Sequence, residues 1–196
     1  MRILAFSDLH LDSAARDAIL AAAEGADLVI GAGDFAAQHR GLAAFVAPFA
    51  AIAGKAVFVA GNNETVDALR AATPVPVLHG EVTELAGLRL AGLGAAVPPL
   101  PPLPWHSFDL TEAEAARLLD RIDAADILVC HSPPKGVCDR HARLGPIGST
   151  AVLAAARRLA PRWLLCGHVH DDWGAQGRIG ATGVRNLGPG VTWIEL

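Results

Sequence analysis

The chain has 196 residues, 52% of them hydrophobic, and its formal net charge at pH 7 is -4. This length and composition allow a sizeable core within a single domain. The negative charge argues against an extended nucleic-acid surface, because binding to a phosphate backbone relies on clustered Lys and Arg.

The cysteines and the N-terminal segment both favour a reducing cytoplasm. Cys130, Cys138 and Cys166 are odd in number and form no C-x-x-C pair, which predicts free thiols and neither a disulfide framework nor a zinc finger. The N-terminal segment enters a predicted strand at Ile3 without a signal-like apolar core. We therefore expect a cytoplasmic protein.

Short apolar runs bounded by glycine and polar residues predict buried strands. In chain order they cover residues 3–6, 28–30, 56–60, 127–130 and 163–166. Residues 82–85 and 88–93, separated by Ala86-Gly87, predict a hairpin. Residues 182–186 and 191–195 predict a C-terminal strand pair.

Helices are predicted between these strands, at residues 12–24, 41–53, 64–71, 111–122 and 149–159. Thr111 and Glu114 form a capping-box pattern, and Ser149 precedes a helix that Pro161 follows. The most membrane-like stretch, residues 41–60, contains Pro48, Gly54 and Lys55, and its apolar side chains recur at helical spacing. This pattern favours a helix packed on a sheet and predicts no membrane span.

Potential metal ligands follow the apolar runs. They are Asp8, His10, Asp34, Asn62, His131, His168 and His170. Open α/β sheets gather their ligand sites beyond the carboxyl ends of strands, so these side chains are expected to share one site. Four ligands come from the first third of the chain and three from the remainder, which predicts a single domain spanning residues 1–196.

The ligand types indicate which metals suit the site. Asp and Asn oxygens mixed with imidazole nitrogens, without cysteine, suit Mn²⁺, Fe²⁺ or Zn²⁺ better than Ca²⁺ or an iron–sulfur cluster. In extended backbone, residues i and i+2 point the same way, so Asp8 and His10 can aim two ligands into one cavity, as can His168 and His170. Seven ligands exceed the need of one ion, and two ions sharing the Asp34 carboxylate would use them all. Taken singly, each ligand also has an ordinary interpretation, such as a helix N-cap for Asp8 or a buried, hydrogen-bonded imidazole for His131.

The order D-x-H, G-D, G-N-x-E, H and G-H-x-H resembles the calcineurin-like metallophosphoesterase superfamily from about residue 2 to residue 190. Residues 131–136 and Gly148-Ser149 look most like its small Icc-related phosphoesterases. The resemblance implies an α/β fold, a four-layer α-β-β-α sandwich of two mixed sheets flanked by helices, with a dinuclear metal site at the strand ends. The C-terminal strand pair is expected to close the second sheet.

The resemblance also implies a distribution of the ligands and a reaction. One ion would take Asp8, His10, Asp34 and His170, and the other would take Asp34, Asn62, His131 and His168. Two divalent ions, with Mn²⁺ preferred and Fe²⁺ or Zn²⁺ as alternatives, would generate a hydroxide that attacks phosphorus. Asp34 would fix the distance between the ions.

Asn63 departs from the family pattern. Many members carry a His after the metal-binding Asn, and that His is thought to contact the phosphoryl group or protonate the leaving oxygen. A carboxamide can donate a hydrogen bond to a phosphoryl oxygen but cannot deliver a proton near neutral pH. Asn63 is therefore expected to orient the phosphoryl group, unless it only accommodates an unusual turn. Glu64 is interpreted as an orienting group or as the cap of the next helix.

The predicted activity is hydrolysis of a small phosphodiester or phosphomonoester. A non-catalytic scaffold on the same fold is the alternative from another class, and a nuclease is disfavoured by the acidic balance. The proline-rich residues 98–105 are interpreted as an ordered loop that could wall the substrate pocket, and His141 as a possible substrate contact. Nothing in the sequence indicates the oligomeric state.

Overall fold

The computed structural model describes residues 1–196 as twelve strands and five α-helices, with three short 3₁₀ segments. The strands are β1 (Arg2–Phe6), β2 (Leu28–Gly31), β3 (Ala56–Phe58), β4 (Glu81–Leu85), β5 (Leu88–Leu93), β6 (Ile127–Cys130), β7 (Arg140–His141), β8 (Gly145–Pro146), β9 (Trp163–Cys166), β10 (Gln176–Ile179), β11 (Thr182–Asn186) and β12 (Thr192–Glu195). The helices are α1 (Ser13–Ala22), α2 (Leu42–Val46), α3 (Val66–Ala72), α4 (Glu112–Leu119) and α5 (Thr150–Leu159).

Two mixed sheets form the centre of the molecule. The first has the strand order β12-β1-β2-β3, and the second has the order β10-β11-β9-β6-β5-β4. In both sheets the inner strands pair in parallel, while β12, β10 and β4 are antiparallel edge strands. Strands β7 and β8 form a separate two-stranded ribbon.

Alternation of side chains along the strands produces the layers. In β1, Leu4 and Phe6 join an apolar cluster with residues of α1, α2 and α3, whereas Ile3 and Ala5 join a cluster that contains residues of both sheets. A third cluster joins the other face of the second sheet to α4 and α5. Successive strand residues point to opposite faces, so each sheet contributes to two cores. The predicted four-layer α-β-β-α sandwich is confirmed.

Local capping explains where the helices begin. The Asp12 carboxylate accepts hydrogen bonds from the N–H groups of Ala14 and Ala15 at the start of α1. The capping box of Thr111 and Glu114 is present at α4, and the Ser149 hydroxyl accepts from the N–H of Val152 at α5. These contacts satisfy N–H groups that have no partner within the helix.

The helix predicted at residues 41–53 is only partly α-helical. Helix α2 ends at Val46, and Ala47–Lys55 continues as a 3₁₀ segment. Pro48 lacks the N–H that an α-helical hydrogen bond would require, and its ring obstructs the preceding turn. Phe45, Val46 and Phe49 are nevertheless buried against the first sheet, as the helical spacing predicts.

The expectation that the two C-terminal strands pair with each other in the second sheet is wrong. Strand β11 lies between β9 and β10, whereas β12 pairs with β1 at the edge of the first sheet. The partner of β11 is β10, whose sequence Gln-Gly-Arg-Ile contains no apolar run that would have predicted a strand.

None of the helices combines the length and the apolar composition needed to cross a membrane. All three cysteines are free, as predicted. Cys130 and Cys166 are buried, and partial burial raises the pKa of the Cys138 thiol.

Candidate metal centre

The predicted ligands follow strands at the carboxyl ends of both sheets. Asp8 and His10 follow β1, Asp34 follows β2, and Asn62 follows β3. In the second sheet His131 follows β6, and His168 and His170 follow β9. Because β1, β2 and β3 are parallel to one another, as are β6 and β9, their ends meet at one edge of each sheet.

The backbone aims several of these side chains through left-handed conformations. Asp8, His10, Asp34 and His168 have φ values of 56°, 43°, 60° and 69°. His10, His168 and His170 line one cavity, whereas Asp8 does not, and the extended geometry expected for both pairs is wrong. Left-handed backbone is costly for residues other than glycine, and such strain occurs mainly at functional sites.

One group of ligand atoms surrounds His10 and His170. Their Nε2 atoms lie 3.2 Å apart. The His170 Nε2 lies 3.8 Å from Asp8 Oδ1, and the His10 Nε2 lies 3.6 Å from Asp34 Oδ2. The coordinating atoms of Asp8, His10 and His170 all lie within 4.8 Å of one another.

A second group surrounds Asn62. Its Oδ1 lies 3.2 Å from His131 Nε2 and 3.1 Å from His168 Nδ1. His131 Nε2 lies 3.5 Å from Asp34 Oδ2, the same carboxylate oxygen that faces His10. Asp34 therefore lies between the two groups.

Neighbouring contacts fix which atoms can bind a cation. His131 Nδ1 donates to the carbonyl oxygen of Ala32 at 2.8 Å, so Nε2, which faces Asp34, is the ring nitrogen that can bind a cation. Asn62 Nδ2 donates to the Ser107 hydroxyl at 3.0 Å, so its oxygen faces the two histidines. Such outer contacts are typical of metal ligands. Oxygen and imidazole atoms that converge in this way fit divalent metal ions, which bind imidazole nitrogen in place of a proton.

The Asp34 carboxylate is fixed by Asn63. Asp34 Oδ1 accepts from the Asn63 backbone N–H at 2.8 Å, and Asp34 Oδ2 accepts from the Asn63 side-chain amide at 2.9 Å. The Asn63 oxygen accepts from the backbone N–H of Gln38. Asn63 does not have a positive φ, so the interpretation that it only accommodates an unusual turn is not needed. One N–H of its amide remains available to another acceptor.

Glu64 organises the backbone around Asp34. Its buried carboxylate accepts hydrogen bonds from the backbone N–H groups of Asp34, Ala36 and Gly61. Burial and the neighbouring Asp34 charge raise the pKa of Glu64 to about 7, although the backbone donors oppose this rise. Of the two roles predicted for Glu64, the orienting role agrees with these contacts, because Thr65 caps α3.

The ionisable ligands influence one another strongly. Burial disfavours the charged form of Asp34, but the neighbouring His131 outweighs this and holds the Asp34 pKa well below its usual range. Burial likewise opposes charge on His131, yet the Asp34 carboxylate raises the His131 pKa to about 9. Burial and the nearby His131 lower the pKa of His168 to about 3, so this imidazole stays neutral and keeps one ring nitrogen with a free lone pair.

Three residues that position ligands were not predicted from the sequence. Trp173 Nε1 donates to Asp8 Oδ2 at 3.1 Å, and its ring stacks on His170 with centroids 4.3 Å apart. The Ser7 hydroxyl also donates to Asp8 Oδ2, and Ser107 orients Asn62 as described above. The proximity of Ser7 to Asp8 and of Trp173 to His170 in the sequence was an available signal, whereas nothing in the sequence links Ser107 to Asn62.

Five of the seven predicted ligands, all except Asp8 and His131, line a cavity of about 490 Å³. Part of its wall comes from Leu100, Pro101 and Leu103, in the loop of residues 98–105 that was predicted to wall a pocket. Trp105 is not among the lining residues and instead packs against His39, with ring centroids 5.9 Å apart. His141 does line the cavity, and its Nδ1 accepts from the backbone N–H of Arg143.

The two-sheet fold and the cluster of Asp, Asn and His side chains agree with the comparison to known families. Residues 1–192 match the calcineurin-like phosphoesterase superfamily domain. The chain belongs to this superfamily, whose members are metal-dependent phosphoesterases. No curated protein matches the chain.

Several solved structures share the fold. TT1561 of Thermus thermophilus superposes with a TM-score of 0.73 at 20% identity, over 95% of this chain and 88% of that one. YfcE, a phosphoesterase from E. coli, gives 0.50 at 17% identity, over 99% and 81% of the two chains. The calcineurin-like phosphoesterase YfkN from Bacillus subtilis gives 0.50 at 13% identity, over 95% and 81%.

Gly61 provides a test of the metal centre. A Cβ at this position would lie 2.0 Å from Asp34 Oδ1 and 2.3 Å from Asp34 N, so Gly61→Ala must displace Asp34. We expect the variant to lose at least about tenfold in Mn²⁺ affinity, the scale typical of disturbed outer contacts. Metal titration of the folded protein, with circular dichroism as the check on folding, provides the measurement.

Gly54→Ala is the matched control, because a Cβ there meets no atom within 4 Å. The control should bind Mn²⁺ like the parent protein. Equal affinity in both variants would contradict the role assigned to Asp34.

Proposed function

We propose that the protein hydrolyses a small phosphodiester or phosphomonoester with the help of two divalent metal ions. The observation that carries this proposal is the position of Asp34, whose Oδ2 faces His10 at 3.6 Å and His131 at 3.5 Å. A carboxylate between two groups of ligand atoms can be shared by two cations. The membership of a phosphoesterase superfamily supports the reaction class.

The proposed ligand sets follow the two clusters. One ion would be held by Asp8, His10, Asp34 and His170, and the other by Asp34, Asn62, His131 and His168. Mn²⁺ is the proposed metal, with Fe²⁺ or Zn²⁺ as alternatives, because mixed oxygen and imidazole donors suit these ions. Such a pair of ions lowers the pKa of a water molecule and neutralises charge on the phosphoryl oxygens.

The protein's own residues would position the ligands and the substrate. Asn63 holds Asp34 with one amide N–H, and its second N–H would donate to a phosphoryl oxygen. Trp173 and Ser7 hold the Asp8 carboxylate. These contacts fix the ligands before substrate binds, which is the arrangement that electrostatic stabilisation of a transition state requires.

The alternatives fit the cavity less well. A scaffold protein has no need for the hydrogen bonds that orient His131, Asn62 and Asp34. A nuclease would need cationic side chains beside the metals, and the 490 Å³ cavity is lined by no Lys or Arg. The free cysteines agree with a reducing cytoplasm, which we propose as the location.

Metal removal and substitution of the ligands test the mechanism. We expect chelation to abolish hydrolysis of p-nitrophenyl esters and Mn²⁺ to restore it. His131→Ala and Asp34→Ala should each lower kcat by several orders of magnitude, because nucleophile activation and charge stabilisation both depend on the ions. Metal content should be measured alongside the rates. A demonstrably metal-free sample that retained full activity would refute the mechanism.

The presence of a carboxamide at position 63 predicts that the rate of hydrolysis depends strongly on the leaving group. Since a carboxamide cannot protonate the departing oxygen, esters of acidic phenols should be cleaved far faster than alkyl esters. Asn63→His should flatten this dependence and raise the rate most for poor leaving groups, by at most about 10²- to 10⁴-fold. The measurement is kcat/KM against leaving-group pKa, at verified metal content.

Asn63→Ser is the control for this experiment. It removes the amide contact to Asp34 without adding a group that can protonate the leaving oxygen near neutral pH. The dependence of its rate on the leaving group should therefore stay as steep as that of the parent protein. If plots of log kcat/KM against leaving-group pKa had the same slope for all three proteins, residue 63 would not occupy a position from which a side chain can protonate the leaving oxygen.

A further inference from the structure

The cavity that contains the metal ligands has a second, apolar wall. Leu100, Leu103, Leu144 and Ile147 line it together with five of the seven predicted ligands. Leu100 and Leu103 belong to the loop of residues 98–105, and Leu144 lies between β7 and β8. Neither ion binding nor phosphoryl binding requires aliphatic side chains, so this wall needs a different explanation.

The apolar wall continues into an adjoining cavity of about 240 Å³. The two cavities share Leu100, Pro101, Leu144, Ile147 and the metal-ligand candidate His168. The smaller cavity, hereafter the side chamber, is completed mainly by proline rings, those of Pro98, Pro99 and Pro146. A group bound at the ligands could therefore extend directly into an apolar space.

Two leucines of the apolar wall are unusually exposed. The exposed fraction is 41% for Leu103 and 56% for Leu144, which places both among the few large apolar residues that face solvent. A single exposed leucine is ordinary, but apolar residues grouped around a polar cavity are typical of a ligand site. Binding an apolar group there would remove both side chains from water.

The charges that line the two cavities restrict the chemistry of a group bound at the apolar wall. The larger cavity contains no Lys or Arg, and it includes the Asp171 carboxylate. Lys135 is the only such cation lining the side chamber, and its ammonium already donates to the carbonyl oxygen of Pro146. A substrate with further phosphates or carboxylates beyond the reacting phosphoryl group would find little compensating charge.

We propose that the side chamber binds the organic group of the substrate, and that the substrates are phosphoesters of an aryl or bulky alkyl group. This inference rests on the proposed function, because it assumes that the phosphoryl group lies at the metal ligands. Leu144, which lines both cavities, and Leu103, which lines the larger cavity, would act as specificity-determining residues by packing against the organic group as it extends into the side chamber.

Calorimetric titration of the Mn²⁺-loaded protein with phosphonates tests the proposal without relying on turnover. Methylphosphonate probes the phosphoryl position alone, phenylphosphonate adds an apolar ring, and phosphonoacetate adds a charged group of smaller size. We expect phenylphosphonate to bind at least about tenfold more tightly than methylphosphonate, because its ring buries apolar surface. Phosphonoacetate should bind no more tightly than methylphosphonate.

Two substitutions test which side chains contact the ring of phenylphosphonate. Leu144→Ser and Leu103→Ser should each lower phenylphosphonate affinity about three- to tenfold and leave methylphosphonate affinity unchanged. Val82→Ser is the matched control, because Val82 is 43% exposed but lines neither cavity. It should bind both phosphonates like the parent protein.

The outcomes separate this inference from the proposed function. If methylphosphonate binds but phenylphosphonate binds no more tightly, the side chamber is not a substrate site and the proposed function stands. If phosphonoacetate binds best, or if all three substitutions have the same effect, the apolar assignment is wrong. If neither methylphosphonate nor phenylphosphonate binds the metal-loaded protein, the proposed function fails together with this inference.

Discussion

The convergence of lone pairs around Asp34 is the constraint on which the rest of the structure depends. Two imidazole nitrogens, those of His131 and His168, face the single oxygen of Asn62, and two more, those of His10 and His170, face each other at 3.2 Å. Lone pairs of this kind repel one another when no proton or cation lies between them, and burial, as at His131 and Asn62, removes the water that would separate them. A fold that holds them together must supply rigid support, and divalent cations would remove the repulsion.

That support comes from backbone and packing together. Glu64 ties Asp34, Ala36 and Gly61 to one carboxylate, so the segments after β2 and β3 cannot separate without breaking buried hydrogen bonds. Directly behind them, Phe6, Phe35, Phe49 and Phe58 form a buried aromatic cluster with ring centroids 4.7 to 6.1 Å apart. Phe6 precedes the Ser7-Asp8 segment and Phe35 follows Asp34, so core packing directly anchors the left-handed turns at these ligands.

Much of this arrangement could be predicted because it is local in sequence. Apolar runs followed by Asp, Asn or His predicted the strands and the ligands beyond their ends. The caps at Thr111 and Ser149 predicted where two helices begin. The pairing of β12 with β1 could not be predicted, since strand partners far apart in sequence are not encoded by local pattern. The left-handed backbone at Asp8 and His168 was also missed, because it is stabilised by tertiary contacts such as the hydrogen bonds from the His168 N–H to the Asp8 carboxylate.

Contacts between distant segments also determine how selective the site can be. Ser107 orients Asn62 across 45 positions of sequence, and the loop of residues 98–105 meets the segment between β7 and β8 only in the folded chain. The same edge of the molecule thus combines a polar ligand cluster with an apolar wall. This combination suits an ester whose two ends differ in polarity.

Anomalous diffraction from crystals of the Mn²⁺-loaded protein tests most directly whether these ligands bind two metal ions. The expected result is two peaks roughly 3.5–4 Å apart, the separation usual for paired catalytic ions, on either side of the Asp34 carboxylate. One peak should contact Asp8, His10 and His170, and the other should contact Asn62, His131 and His168. A single fully occupied peak at this cluster, or peaks only elsewhere on the protein, would contradict a shared dinuclear centre.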